Sequence, residues 1–126
     1  GTKEMAKNAI NWFEIPVSDL ARATAYYEDL VQTSLTQESM DGIDMAIFPY
    51  GEDTVTGSLV SAPFLSPSPT GSLVYLNVEG MLDATLERAV ASGSDIPLPK
   101  TPIGPNGFIA HIIDSEGNRV GLHSMT

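Results

Sequence analysis

The sequence predicts an α+β fold built from two copies of one strand–helix–three-strand module. Three observations carry this reading. A stretch alternating with the period of a strand runs directly into a stretch with the period of a helix, and this happens twice, at an offset of 61 residues. A proline- and serine-rich segment, 63–70, separates the two occurrences. In each half, short strand-like segments and a turn signal follow the helix.

In the first module, about residues 9–62, Phe13, Ile15 and Val17 alternate onto one face of an opening strand. Ser18-Asp19 offers a helix cap, and Leu20, Ala23, Tyr27 and Leu30 then recur at spacings of three and four, the stripe of an amphipathic helix. Strands are expected over Thr33–Met40 and Ile43–Phe48, with Asp41-Gly42 as the turn between them, and a fourth over Val55–Ala62. Pro63, Pro67 and Pro69 then exclude helix and central strand, so this segment reads as a linker.

The second module, about residues 71–124, repeats the plan. Leu73–Val78 reads as its first strand, with Val74, Leu76 and Val78 on one face. Leu82, Leu86, Ala89 and Val90 form the stripe of a helix that Gly93 ends. Pro97, Pro99 and Pro102 confine the next segment to an edge strand or an irregular crossing. Gly107–Asp114 and Arg119–Ser124 flank the turn Ser115-Glu116-Gly117-Asn118. The offset lays Phe13, Ile15 and Val17 on Val74, Leu76 and Val78, and Trp12, Glu14 and Pro16 on Leu73, Tyr75 and Asn77.

At 126 residues the chain has the length of one domain, and the two modules are expected to form it together. Sixteen acidic against six basic residues give a net charge of −10. Such a field repels phosphate backbones and anionic bilayers, so neither nucleic acid nor a membrane is an expected partner. Without cysteine, disulfides, thiolate catalysis and zinc–thiolate sites are excluded, and a cytoplasmic location is the natural expectation. Gly1 reads as a tag remnant and is set aside.

Trp12-Phe13-Glu14-Ile15-Pro16-Val17-Ser18-Asp19-Leu20 with Tyr26-Tyr27, the segment Gly71–Val78, and the ending Ala110–Ser124 with its Asp114-x-x-Gly117-Asn118 turn together resemble the glyoxalase/bleomycin resistance/extradiol dioxygenase superfamily, the vicinal oxygen chelate fold. The resemblance runs over about residues 9–124. It implies paired βαβββ modules forming a cupped mixed sheet, usually in a homodimer, with a small molecule held in the cup. Members of that superfamily include metal-dependent enzymes and metal-free drug-binding proteins, so the fold leaves the activity open.

The resemblance also says where a metal would be held. The first-strand ligand position falls on Trp12 or its neighbour Phe13, its counterpart in the second module on Leu73 or Val74, the last-strand glutamate on Gly121, and the fourth position near Ser58–Ser61. Tryptophan, leucine and glycine offer no donor to a divalent ion. The leading expectation is therefore a small-molecule-binding protein without a cofactor, its cup lined by Trp12, Glu14, Leu73, Tyr75, Asn77, His111, Gly121 and His123. The alternative is a lyase- or dioxygenase-like enzyme, either with a displaced divalent metal on Glu14, His111 and His123 or with Glu14 as a metal-free general base.

Overall fold

The computed structural model describes residues 7–126, so Gly1 lies outside the described residues. Its strands are β1 (Trp12–Pro16), β2 (Thr36–Met40), β3 (Ile43–Ile47), β4 (Thr56–Ser61), β5 (Tyr75–Asn77), β6 (Leu98–Pro102), β7 (Phe108–Ile113) and β8 (Arg119–Ser124). Helix α1 (Leu20–Val31) follows β1, α2 (Leu82–Ala91) follows β5, and one 3₁₀ turn spans Gly104–Asn106. No helix among the described residues is long and apolar enough to cross a membrane.

The strands form two four-stranded mixed sheets, ordered β1-β4-β3-β2 and β5-β8-β7-β6. In each, the strand before the helix lies parallel to the last strand of its module, and the other neighbours are antiparallel. The internal repeat extends to the register. Glu14, Ile15 and Pro16 pair with Ser58, Leu59 and Val60, as their counterparts Tyr75, Leu76 and Asn77 pair with Gly121, Leu122 and His123.

Local chemistry explains most boundaries. The Asp19 side chain accepts the Arg22 N–H and so caps α1. Ala23, Tyr26, Tyr27 and Leu30 are buried from this helix. Asp41 and Gly42 both take positive φ, the conformation a two-residue hairpin demands. Gly93, at φ +90°, follows the end of α2. The buried apolar residues of both modules, including Ile15, Val17, Tyr27 and Leu59 from one and Leu76, Val78, Leu82, Ile112 and Leu122 from the other, join in one core.

Three expectations need correction. Strand β2 begins at Thr36 and not Thr33, because the Glu28 carbonyl accepts the Thr33 N–H and the Glu28 carboxylate accepts the Leu35 N–H, tying this segment to the helix end. Strand β5 is only Tyr75–Asn77; Val74 precedes it, held to β8 through the Gly121 N–H and its own carbonyl. Val90, assigned to the apolar stripe of α2, is 60% exposed.

The Asp114–Asn118 turn joins the two modules. Buried Asp114 accepts from the Glu116 and Asn118 N–H groups through Oδ1, and from the Tyr27 hydroxyl and the Asn118 amide through Oδ2. Burial, then the Asp114 charge, pushes the Tyr27 hydroxyl well above its ordinary pKa, so it remains a donor. The Asn118 amide also donates to the Pro16 carbonyl of β1, and its oxygen accepts the Ser68 N–H of the linker. Glu116 reaches back to α1, accepting the Ser18 and Asp19 N–H groups and a bidentate pair from Arg22 at 2.8 and 3.0 Å.

Those donors, the Arg22 guanidinium first, hold the Glu116 carboxyl down at about 2, against an ordinary value of 4.5. A carboxylate with a depressed folded-state pKa contributes stability above its unfolded value and loses it as pH falls. Glu116→Gln is expected to cost about 2 kcal/mol at neutral pH. The gap from wild type should narrow between about pH 4.5 and about pH 2; urea unfolding at pH 7, 4 and 2.5 measures both.

Candidate functional site

Each sheet turns one face to the helices and the other away from them, because side chains alternate along a strand. Phe13, Ile15, Leu59, Leu76, Ala110, Ile112 and Leu122 belong to the core face. By alternation and register, the opposite face carries Trp12, Glu14 and Ser58 in module one and Tyr75, Asn77, His111, Arg119, Gly121 and His123 in module two. His111, whose face is ambiguous in an apolar strand, is thereby placed opposite Gly121 on this outer face.

Tyr75, His111 and Arg119 form a hydrogen-bonded chain. Tyr75 Oη lies 2.7 Å from His111 Nε2, and Arg119 Nε–H donates to His111 Nδ1 at 3.0 Å. A guanidinium can only donate, so His111 Nδ1 accepts and the ring's proton sits on Nε2. Burial, reinforced by the positive Arg119, lowers the His111 pKa, which keeps the imidazole neutral. Nε2–H then donates to the tyrosine oxygen. The phenolic proton is left pointing elsewhere, a donor for a further group.

The Tyr75 ring lies across Gly121: a Cβ built there would meet Tyr75 Cδ1 at 2.4 Å. The ring also meets the His111 ring edge-on, with centroids 5.5 Å apart. In module one the Trp12 indole N–H approaches Glu14 Oε2 at 3.4 Å. Ser58, opposite Glu14, is fully buried, and its hydroxyl has no hydrogen-bond partner among the described residues.

Two adjoining cavities flank β1, the first against the linker and the start of β8, the second against β5. One, of about 240 Å³, is lined by Glu14, Pro16, Ser66, Ser72 and Arg119 among others. The other, of about 740 Å³, has an apolar wall including Ile10, Trp12, Val55, Leu73 and Tyr75, with Asn77 also lining it. Ser72 and Val74 line both. Of the residues expected at the site, Trp12, Leu73, Tyr75 and Asn77 therefore share one cavity, Glu14 lines the other, and His111 and Gly121 support Tyr75. His123 is turned to the Asn106 carbonyl at 2.7 Å, and the Asn77 side-chain oxygen accepts the Glu79 N–H, so both already serve local structure.

Arg119, Ser66 and Ser72 line the first cavity without having been among the residues expected at the site. Arg119 had a signal, standing two residues before Gly121 and hence on the same strand face. The serines had none, since only the Ser68–Asn118 hydrogen bond lays the linker beside β8.

Among the described residues, no three histidine, aspartate or glutamate side chains gather in a metal-binding group. His111 has both ring nitrogens engaged, and the Tyr75 ring covers Gly121. The donor set does not fit a divalent ion at the position that the family resemblance implies.

The chain belongs to the Glyoxalase/Bleomycin resistance protein/Dioxygenase superfamily, whose family model matches residues 9–122. CFP32 of Mycobacterium bovis, provisionally named a glyoxylase, is 25% identical over 127 aligned positions, covering 94% of this chain and 46% of that protein. This chain thus spans about half the length of the curated relatives it matches. A glyoxylase/bleomycin resistance protein/dioxygenase domain from Frankia sp. EAN1pec superposes with a TM-score of 0.70 at 18% identity, covering 93% of this chain and 97% of that one. A fosfomycin resistance protein, FosX, from Listeria monocytogenes gives 0.66 at 15% identity over 94% and 93%; that structure holds Mn(II) and 1S,2S-dihydroxypropylphosphonic acid. At these identities the solved structures attest the fold.

Gly121→Ala is expected to push the Tyr75 ring aside and cost about 2 kcal/mol. In a Tyr75→Ala background the same change should be close to neutral, because the clash is gone. A double-mutant cycle by urea denaturation measures this coupling; additive effects would show that the ring does not depend on Gly121.

Proposed function

We propose that this superfamily member binds a small organic molecule between β1 and β5 without a metal ion. The observation that carries the reading is the Tyr75 ring lying over Gly121, where the family pattern places a last-strand carboxylate. An aromatic wall backed by His111 and Arg119 takes the place of that ligand, with Trp12 and Leu73 on the adjoining surface. Such a wall, apolar with a few oriented polar groups, suits an organic ligand. Metal analysis of the purified protein should find no stoichiometric ion. Thermal unfolding with Zn, Mn, Fe, Co and Ni should show no specific stabilisation; a stoichiometric ion, or a rise of several degrees with one of them, overturns the reading.

A second reading, a metal-free catalyst with Glu14 as general base, is favoured by one observation: Glu14 lines the same cavity as Arg119, so a bound molecule touches both an acceptor and a cation. Its test is Glu14→Gln, which should abolish turnover while leaving the unfolding transition in place; unchanged turnover removes it.

A homodimer belongs to the same proposal. Every residue of edge strand β2 is exposed, leaving an uncovered ladder. Light scattering at micromolar concentration should report twice the chain mass, and a monomer there contradicts the dimer.

A further inference from the structure

Six basic residues stand against sixteen acidic ones in this chain. Of the five among the described residues, Lys7 is exposed, Arg22 is paired with Glu116 and Lys100 with Asp83, and Arg88 is held by the Leu30 carbonyl and the Thr85 hydroxyl. Arg119 differs. It is half-buried, and among the described residues it is paired with no carboxylate. Its one hydrogen bond there is from Nε to a histidine kept neutral by its surroundings. That bond takes Nε and leaves the two terminal nitrogens without a hydrogen-bond partner among the described residues, and Arg119 lines the 240 Å³ cavity. A guanidinium fork matches a carboxylate, which accepts two parallel hydrogen bonds.

The surroundings narrow the ligand further. Ser66 and Ser72 add hydroxyls to the cavity wall. Glu14 in the same wall disfavours a second negative charge on the ligand, as does the net charge of −10. Through Ser72 and Val74 the cavity adjoins the apolar one, where Trp12 and Leu73 are 40% and 38% exposed. Large apolar side chains left open beside a polar pocket mark a surface that a ligand covers.

We infer that the ligand is a small organic monocarboxylate, its acid group on the Arg119 fork and its apolar body against Trp12 and Leu73. This rests on the binding function proposed above and names the class of molecule bound. Trp12 is the single tryptophan of the chain, so its fluorescence reports on the apolar end directly.

The experiment titrates the protein with 4-phenylbutanoate, its neutral amide and the corresponding phosphonate while following Trp12 emission. The acid is expected to give a saturable change at an affinity at least tenfold better than the amide or the phosphonate dianion. Arg119→Gln should erase that preference by weakening the acid tenfold or more while leaving the amide unchanged. The acid–amide comparison on the wild-type protein stands even where that variant fails to fold. Equal affinities for acid and amide overturn the carboxylate assignment and leave the small-molecule cavity standing, so the two readings fail separately. Absence of a saturable response to the acid, tighter binding of the phosphonate, or an acid affinity unaltered in Arg119→Gln each overturns the assignment as well.

Discussion

The carboxylate of Asp114 accepts four hydrogen bonds inside the protein, and the geometry of the candidate site follows from that saturation. A buried anion persists only when its lone pairs are filled. Here they are filled by the turn's own Glu116 and Asn118 N–H groups, by the Asn118 amide and by Tyr27 from the helix of the other module. Filling them obliges Asn118 to face β1 and the linker, where it takes the Pro16 carbonyl and the Ser68 N–H. The residue after Asn118 is Arg119. The hydrogen bonds that join the two modules therefore also set where the guanidinium stands relative to Glu14 and the linker serines.

A hydrogen-bonded chain of three side chains organises the outer face of module two. Arg119 places a positive charge on this face, and it is positioned by His111, which accepts from the guanidinium and donates to Tyr75. Neutrality of the imidazole matters, because a doubly protonated ring would set a donor against the Arg119 Nε–H. Burial and the adjacent cation both favour the neutral form. The missing side chain at Gly121 makes this possible by clearing the floor on which the Tyr75 ring lies.

Much of the fold was legible because burial imposes a period. Phe13, Ile15 and Val17 announce a strand, Ala23, Tyr27 and Leu30 a helix, and the same plan recurs after the prolines. Turn chemistry was legible for a related reason, since Asp41-Gly42 and Gly117 take up positive φ. The reading slipped where a helix-end hydrogen bond or a helix's packing overrode the period. Glu28 holds Thr33–Leu35 out of strand β2, and Val90 meets the periodic rule yet points into solvent. The site was legible in part. Trp12, Leu73, Tyr75 and Asn77 do share a cavity wall, whereas His123 and Asn77 have polar atoms already engaged by Asn106 and Glu79.

The sequence by itself determined the two-module plan, the 61-residue offset that lays Phe13, Ile15 and Val17 on Val74, Leu76 and Val78, and the lack of donors at Trp12, Leu73 and Gly121. Each of these depends on residue type and spacing along one strand or helix. Only the tertiary structure decided that Arg119 and Glu14 share a cavity with Ser66 and Ser72, and that Tyr75 lies on Gly121 against His111. Those contacts join segments far apart in the chain. Their partners are chosen by the hydrogen bonds that must be satisfied once the core is closed, and no local pattern records that choice.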